Sequence, residues 1–337
     1  IFSPSCPGAR NYWSGSWARI CSLSIRTCTS SISGNLCDAC WETRARSTDE
    51  LSKRYGSFEA VRSLNLRVSG QRITGFLGRN GAGKSTTIKM LLGMTHPTSG
   101  TGTILGQPID DNKANREARR QIAYVGEDKQ LYGYMTVEQL VRFTKSFYAD
   151  WLPDIEKRLL KQYQLPLDRK VKALSKGMRT KLALLLAFAR RPELLILDEP
   201  SEGLDPVSME ELLQTLVSAA ADGTAVFFSS HQIAEVERVA EQVCMLDHGN
   251  LVADLSLDHM RQEYRRITAG FRSEPSPERF HIPGVQHMHA RGRQVTFVAT
   301  QNAETVVALV RSMEPVSVEV TPISLREVFL ETVKEGT

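Results

Sequence analysis

Apolar positions along this chain change period repeatedly, and the changes mark out its elements. Residues 60–68 alternate apolar and polar, as a half-buried strand does, and Ser69-Gly70 is a turn signal. Residues 72–77 predict a strand and 87–92 a helix. Strands are expected at 101–105 and 121–125, with a turn at Gly106-Gln107-Pro108 and a helix at 116–120 between them. From 136 to about 165, Val137, Leu140, Val141, Phe143, Ile155, Leu159 and Leu160 recur at helical spacing, punctuated by Pro153 and Pro166. Another helix opens at 174–178 and ends before Pro192. Leu194-Leu195-Ile196-Leu197 is a continuous apolar run, as in a parallel strand covered on both faces. A helix at 206–220, a strand at 224–228 and a helix at 233–240 follow. Strands at 243–246 and 251–254 form a hairpin about Asp247-His248-Gly249-Asn250.

Strands alternating with helices predict an α/β fold with a largely parallel sheet. Ligands in such folds sit beyond the carboxyl ends of the strands. Gly78, Asp198 and His231 each fall at or just beyond such an end, so three separate features point at one rim. Past about residue 256 the pattern changes. A Pro-rich patch (Pro275, Pro277, Pro283) precedes a strand at 294–299, a helix at 303–313, a strand at 317–321 and a helix at 324–333, which predicts a small α+β accessory domain.

Gly78-Arg79-Asn80-Gly81-Ala82-Gly83-Lys84-Ser85-Thr86 fits G-x-x-x-x-G-K-[ST], between the expected strand and helix. Its glycines let successive N–H groups turn inward, and a helix N-terminus adds partial positive charge. Lys84 is expected to reach the β- and γ-phosphates of a nucleotide, and the Ser85 hydroxyl to sit on Mg²⁺.

Composition narrows the classes. At 337 residues the chain has room for two domains. Its apolar content of 41% and charged content of 24% are those of an ordinary globular protein. A net charge of +4 is too small to argue for nucleic acid. Much of it lies in the first 47 residues, where Arg10, Arg19, Arg26, Arg44 and Arg46 face only Asp38 and Glu42. The longest apolar run, near 182–189, falls far short of the ~20 residues of a membrane span. Cys6, Cys21, Cys28, Cys37 and Cys40 crowd the tail and leave only Cys244 in the body, which excludes a disulfide scaffold. Residues 1–47 show neither structural period nor an apolar signal-peptide core, and Cys37-Asp38-Ala39-Cys40 has no second pair at zinc spacing. They are expected to be a disordered extension or not native sequence.

Residues 49–255 resemble the nucleotide-binding subunit of ATP-binding cassette (ABC) transporters. Besides the P-loop, Leu174-Ser175-Lys176-Gly177-Met178 is similar to the family signature, and 194–200 to its Walker B strand and following glutamate. Ser201-Glu202-Gly203-Leu204-Asp205 resembles the D-loop and His231 the switch histidine. The end of the chain, Pro322-Ile323-Ser324-Leu325-Arg326-Glu327-Val328-Phe329-Leu330, is similar to that of ATPase subunits of ABC-2-type exporters.

The resemblance implies a P-loop NTPase fold of the ABC type at 48–255, with a helical subdomain at about 127–190 and an accessory domain at 256–337. ATP would lie on Gly78, Asn80, Gly81, Ala82, Gly83, Lys84, Ser85 and Thr86, with Tyr55 stacked on adenine. Mg²⁺ would be held by Ser85, Asp198 and Glu127, where the family places a glutamine. Glu199 would be the general base, with His231 and Lys84 completing the catalytic set. Ser175 and Gly177 would face the γ-phosphate across a dimer of this chain or with a second ATPase subunit, and Asp205 would belong to the nucleotide-binding set. Lys176 and Met178 depart from the usual signature. A transmembrane permease partner at the cytoplasmic face of the membrane is implied, with no nucleic acid. Two other classes remain: a soluble ABC ATPase not engaged in transport, and an ATP-binding regulatory subunit with weak turnover.

Overall fold

The computed structural model describes residues 46–68, 70–276, 280 and 282–335. Of the expected tail 1–47, positions up to 45, with Cys37 and Cys40, lie outside the described residues, as do Ser69 and Pro277, whereas Arg46 and Ser47 belong to the first strand, paired with Val68 and Arg67.

An antiparallel sheet comes first in the chain. It contains β1 (Arg46–Tyr55), β2 (Phe58–Leu64), β3 (Arg67–Val68), β5 (Ser99–Ile104) and β6 (Gln107–Pro108). The order is β2-β1-β5-β6, with β3 also on β1. The strand expected at 60–68 is therefore two. Asn65 interrupts it, because its side chain accepts from Glu50 N–H and donates to the Glu50 carboxylate rather than leaving the backbone to a ladder. The turn expected at 106–108 closes one residue early, and Gln107-Pro108 pairs back onto β5.

The central sheet has the order β11-β10-β4-β9-β8-β7. Its strands are β4 (Ile73–Gly78), β7 (Ile122–Val125), β8 (Leu194–Asp198), β9 (Ala225–Ser230), β10 (Gln242–Asp247) and β11 (Asn250–Ser256). All but β11 run parallel. Alternate residues feed two cores. Phe76, Ile196, Phe227 and Cys244 lie in one with α1 (Lys84–Leu91); Leu77, Leu195, Phe228 and Met245 lie in the other. Covering on both faces explains why these strands read as unbroken apolar runs.

Around this sheet lie α2 (Asn112–Arg120), α6 (Pro206–Ala221), α7 (Ile233–Val239) and α8 (Leu257–Glu263). The helical block after β7 resolves into α3 (Val137–Lys145), opened by a Thr136–Gln139 capping box, and α4 (Pro153–Gln162), with Pro153 where a missing N–H costs nothing. Next comes α5 (Lys176–Phe188).

The last part of the chain forms an antiparallel sheet of order β13-β14-β12-β15, from β12 (Arg265–Gly270), β13 (Val285–Arg291), β14 (Gln294–Ala299) and β15 (Ser317–Pro322). It packs on α9 (Ala303–Ser312) around its own core of Ile267, Phe297, Val306 and Val310. The final helix, α10 (Leu325–Glu335), instead places Leu325, Val328 and Phe329 in the same core as Val236 and Met260. No helix among the described residues is long and apolar enough to cross a membrane.

Candidate functional site

The parallel strands β4, β9 and β8 are neighbours, so their carboxyl ends bring the P-loop, the segment Ser229-Ser230-His231 and the pair Asp198-Glu199 together. The P-loop glycines are needed for different reasons. A Cβ on Gly83 (φ +108) would stand 2.5 Å from the Ala60 carbonyl oxygen, whereas Gly81 has open space but a φ of +82. An open cleft of ≈ 660 Å³ lies over the loop. Asn80, Gly81, Gly83, Lys84, Ser85 and Thr86 line it, together with Glu127, Glu199, Glu202, His231, Phe58 and Ala60. Gly78 and Ala82 support the loop from beneath: Ala82 is buried, and a Cβ on Gly78 would stand 2.5 Å from Leu246 O.

The polar groups facing this cleft are closely tied. Lys84 Nζ donates to the carbonyls of Gly78 (2.7 Å) and Arg79 (3.2 Å) and lies 3.2 Å from Glu199 Oε1. Glu199 Oε2 is 2.9 Å from His231 Nδ1. The Ser229 hydroxyl donates to Asp198 Oδ1 at 2.6 Å and accepts from Glu199 N–H at 3.0 Å, which locks the two acids to the end of β9. Glu199 holds a φ of +47, an uncommon conformation for a residue without special freedom at its Cα. Behind it, buried Glu235 accepts from both Ser201 (2.9 Å) and Ser230 (2.8 Å).

A second cleft shares Ser85 and Glu127 with the first and is also lined by Asp198, Tyr124 and residues 128–131. Ser85, Glu127 and Asp198 thus line one cleft together. Three oxygen donors, two of them carboxylates, form the set a hard divalent cation prefers. The Tyr124 phenol beside them is pushed up to about 12, by burial first and then by Asp198, Asp128 and Glu127.

Other expected residues lie outside the cleft. Tyr55 is half-exposed with Lys53 over its ring, 5.0 Å from the centroid, while Phe58, its partner across the β1–β2 turn, is the aromatic lining the cleft. Ser175 caps α5, accepting from Met178 N–H at 3.2 Å. Gly177 lies against the D-loop, where a Cβ would come 2.9 Å from Gly203 O. Asp205 caps α6 through the N–H groups of Val207 and Ser208. It also accepts from the Ser208 hydroxyl, and that bond first, then the Ser208 N–H, lowers its pKa.

Sequence reasoning missed Phe58, Lys129, Glu202, Ser229 and Glu235. Lys129 is buried and donates to Glu199 O at 3.2 Å; burial lowers its pKa, and the carboxylates of Glu202, Glu127 and Asp198 oppose that. Glu202 pairs with Lys176 at 2.6 Å, and that hydrogen bond holds its carboxyl below the usual range. A charged residue such as Lys129 on its loop or Glu235 on its helix carries no local signal of burial. Ser229, directly before Ser230-His231 at a strand end, and Glu202, within the D-loop segment, could have been flagged.

A protein-family profile described as "ABC transporter" matches residues 61–202. A second, described as "AAA domain, putative AbiEii toxin, Type IV TA system", matches residues 168–237. The Nod factor export ATP-binding protein I of Burkholderia lata is 36% identical over 209 residues, 60% of this chain and 68% of that protein. A solved structure titled "Structure of ATP binding subunit of ABC transporter" superposes with a TM-score of 0.59 at 32% identity, covering 65% of this chain and 92% of that one. The chain belongs to the ABC transporter ATP-binding proteins. The family likeness continues past the ATPase core: the ABC transporter ATP-binding protein YtrB of Bacillus subtilis is 27% identical over 282 residues, 83% of this chain and 95% of YtrB. This ABC protein is accordingly an ATPase and the ATP-binding subunit of a transporter.

Proposed function

We propose that this protein hydrolyses ATP as one half of a dimer and drives a separate membrane-spanning partner in export. The observation that carries the hydrolytic reading is the placement of Glu199. Its carboxylate faces the P-loop cleft between Lys84 and His231, and its backbone is held by Ser229. A carboxylate so fixed can take a proton from an attacking water, and His231 holds it in orientation. Lys84 and the inward N–H groups of the loop bind the β- and γ-phosphates and stabilise charge that grows during transfer. Ser85, Asp198 and Glu127 would hold Mg²⁺, which supplies further neutralisation of phosphate charge when bound.

The dimer reading is supported by the position of the signature. Ser175 and Gly177 do not line the P-loop cleft of their own chain, yet they open a helix whose N-terminus suits a phosphate. A second copy presenting that helix would complete each site. The partner reading is supported by an exposed aromatic row beside the Glu127 loop: Tyr134, Tyr132, Phe143 and Phe147, with ring centroids 5.9, 5.8 and 5.0 Å apart in succession. Such a patch marks an interaction surface. It would hold the protein at the cytoplasmic face of a membrane. The direction follows the relative named for Nod factor export and the resemblance of the chain's end to ABC-2-type exporters.

The test is Glu199→Gln in the full chain. Phosphate release should fall by at least about 100-fold, as for loss of a general base, and an ATP-bound dimer should accumulate on gel filtration. Unchanged hydrolysis would refute Glu199 as the base, and a monomer throughout would refute the shared site.

A further inference from the structure

The loop 126–131 leaves the carboxyl end of β7 and carries Glu127 to the cleft. Lys129, on the same loop, takes a conformation that a solvated lysine has no reason to adopt. Its φ is +40, it is only 9% exposed, and its Nζ turns inward to donate to the backbone carbonyl of Glu199 at 3.2 Å. Burying an ammonium costs solvation unless it is bonded and compensated. The amine has that carbonyl as a bond partner, and the carboxylates of Glu202, Glu127 and Asp198 offset part of the cost of burial, to which Lys176 adds.

The acceptor matters as much as the donor. The Glu199 carbonyl belongs to the peptide that turns the chain into Pro200, and Glu199 itself is held at a φ of +47. The Ser229 hydroxyl fixes the N–H side of the residue and Lys129 the C=O side. Between those two anchors the side chain projects to His231 and Lys84. Rotation of either peptide would swing the carboxylate away from the cleft.

We propose that Lys129 is a positioning residue for Glu199, fixing the backbone from which that carboxylate projects and tying it to the loop that carries Glu127. The proposal rests on the reading of Glu199 as the general base. It gives the loop a mechanical connection to the base that is separate from any contact Glu127 makes. Displacement of the loop, which borders both clefts, then moves the carboxylate with it.

The test uses steady-state ATP hydrolysis by the full chain. Lys129→Met should lower kcat by about 10–100-fold, the cost of misplacing a catalytic group by an ångström or so. KM for ATP should stay within about twofold, because the P-loop contacts are untouched. Lys129→Arg, which keeps a donor and its charge, should recover part of the loss. In a Glu199→Gln background, adding Lys129→Met should leave the residual rate within about twofold, since the group being positioned is gone. A fall in that background as large as in the parent would overturn the proposal and place Lys129 on the phosphates instead. A normal kcat for Lys129→Met, or a loss that merely tracks the fraction unfolded by thermal melt, would overturn it too. Full turnover by Glu199→Gln alone would refute the base assignment, which separates the two failures.

Discussion

The ammonium of Lys84 lies 3.2 Å from Oε1 of Glu199, and both side chains are almost wholly buried. The pair joins the start of α1 to the end of β8 across the floor of the cleft. Lys84→Met would leave that oxygen buried without its cation. Stability measured without nucleotide should fall by about 1–3 kcal/mol, the usual cost of stranding a buried polar group. Glu199→Gln keeps an acceptor facing Lys84 and should cost less. Thermal or urea unfolding of the two variants side by side checks the order.

Gly75 lies under the helix that follows His231. A Cβ there would stand 2.4 Å from Val236 Cγ1 on α7. Gly75→Ala should cost about 1–3 kcal/mol by overpacking. It should also lower kcat more than it raises KM, because α7 carries the switch segment away from its place. Adding Val236→Ala makes room and should restore much of both. Denaturant midpoints and ATPase kinetics of the single and double variants decide it.

Glu127 stands where relatives of this kind are expected to have glutamine, and it lines both clefts. A carboxylate attracts a divalent cation and repels phosphate, and at ~4 Å with an effective dielectric of ~20 each effect reaches about 4 kcal/mol with opposite sign. Glu127→Gln should therefore shift the Mg²⁺ concentration that gives half-maximal hydrolysis. Superimposable Mg²⁺ titrations of the two proteins would refute a metal role for Glu127.

Leu325 is completely buried, on a helix whose apolar face joins the ATPase core rather than the accessory core. Ser324 and Glu327 close the start of that helix, and Arg266 on β12 pairs with Glu327. Leu325→Ala should destabilise by about 2–5 kcal/mol. Urea unfolding should show the ATPase transition itself moving to lower denaturant. A shift confined to a separate early transition would mean that α10 stabilises the accessory part alone.

Much of the fold was legible because it is written locally. Leu194–Asp198 had to be a covered strand, since nothing in it tolerates water. The reversal after Asp247 was legible too, because His248 and Gly249 both adopt positive φ in a two-residue hairpin turn, a place that favours glycine. In contrast β12 and β13 were missed. Arg266, His289 and Arg291 lie on strands that present one face to water, so their apolar period is diluted, and the pairing that makes them strands comes from β14 and β15. The expected strand at 60–68 hid a break, because the bond from Asn65 to Glu50 comes from a distant strand.

The candidate site divides in the same way. The sequence by itself determined the phosphate loop, the acids Asp198 and Glu199, and His231, because each is a residue type at a strand end with a local pattern around it. Only the tertiary structure decided how they act on one another. Adjacent parallel strands set Glu199 between Lys84 and His231, while the helical block kept Ser175 and Gly177 out of their own chain's cleft and the antiparallel sheet brought Phe58 rather than Tyr55 to its edge. It also turned Lys129 from a loop cation into a buried donor on the Glu199 backbone. The reason is physical: a motif fixes which groups are available within a few residues, but burial, distance and charge between segments arise only when the sheet orders its strands.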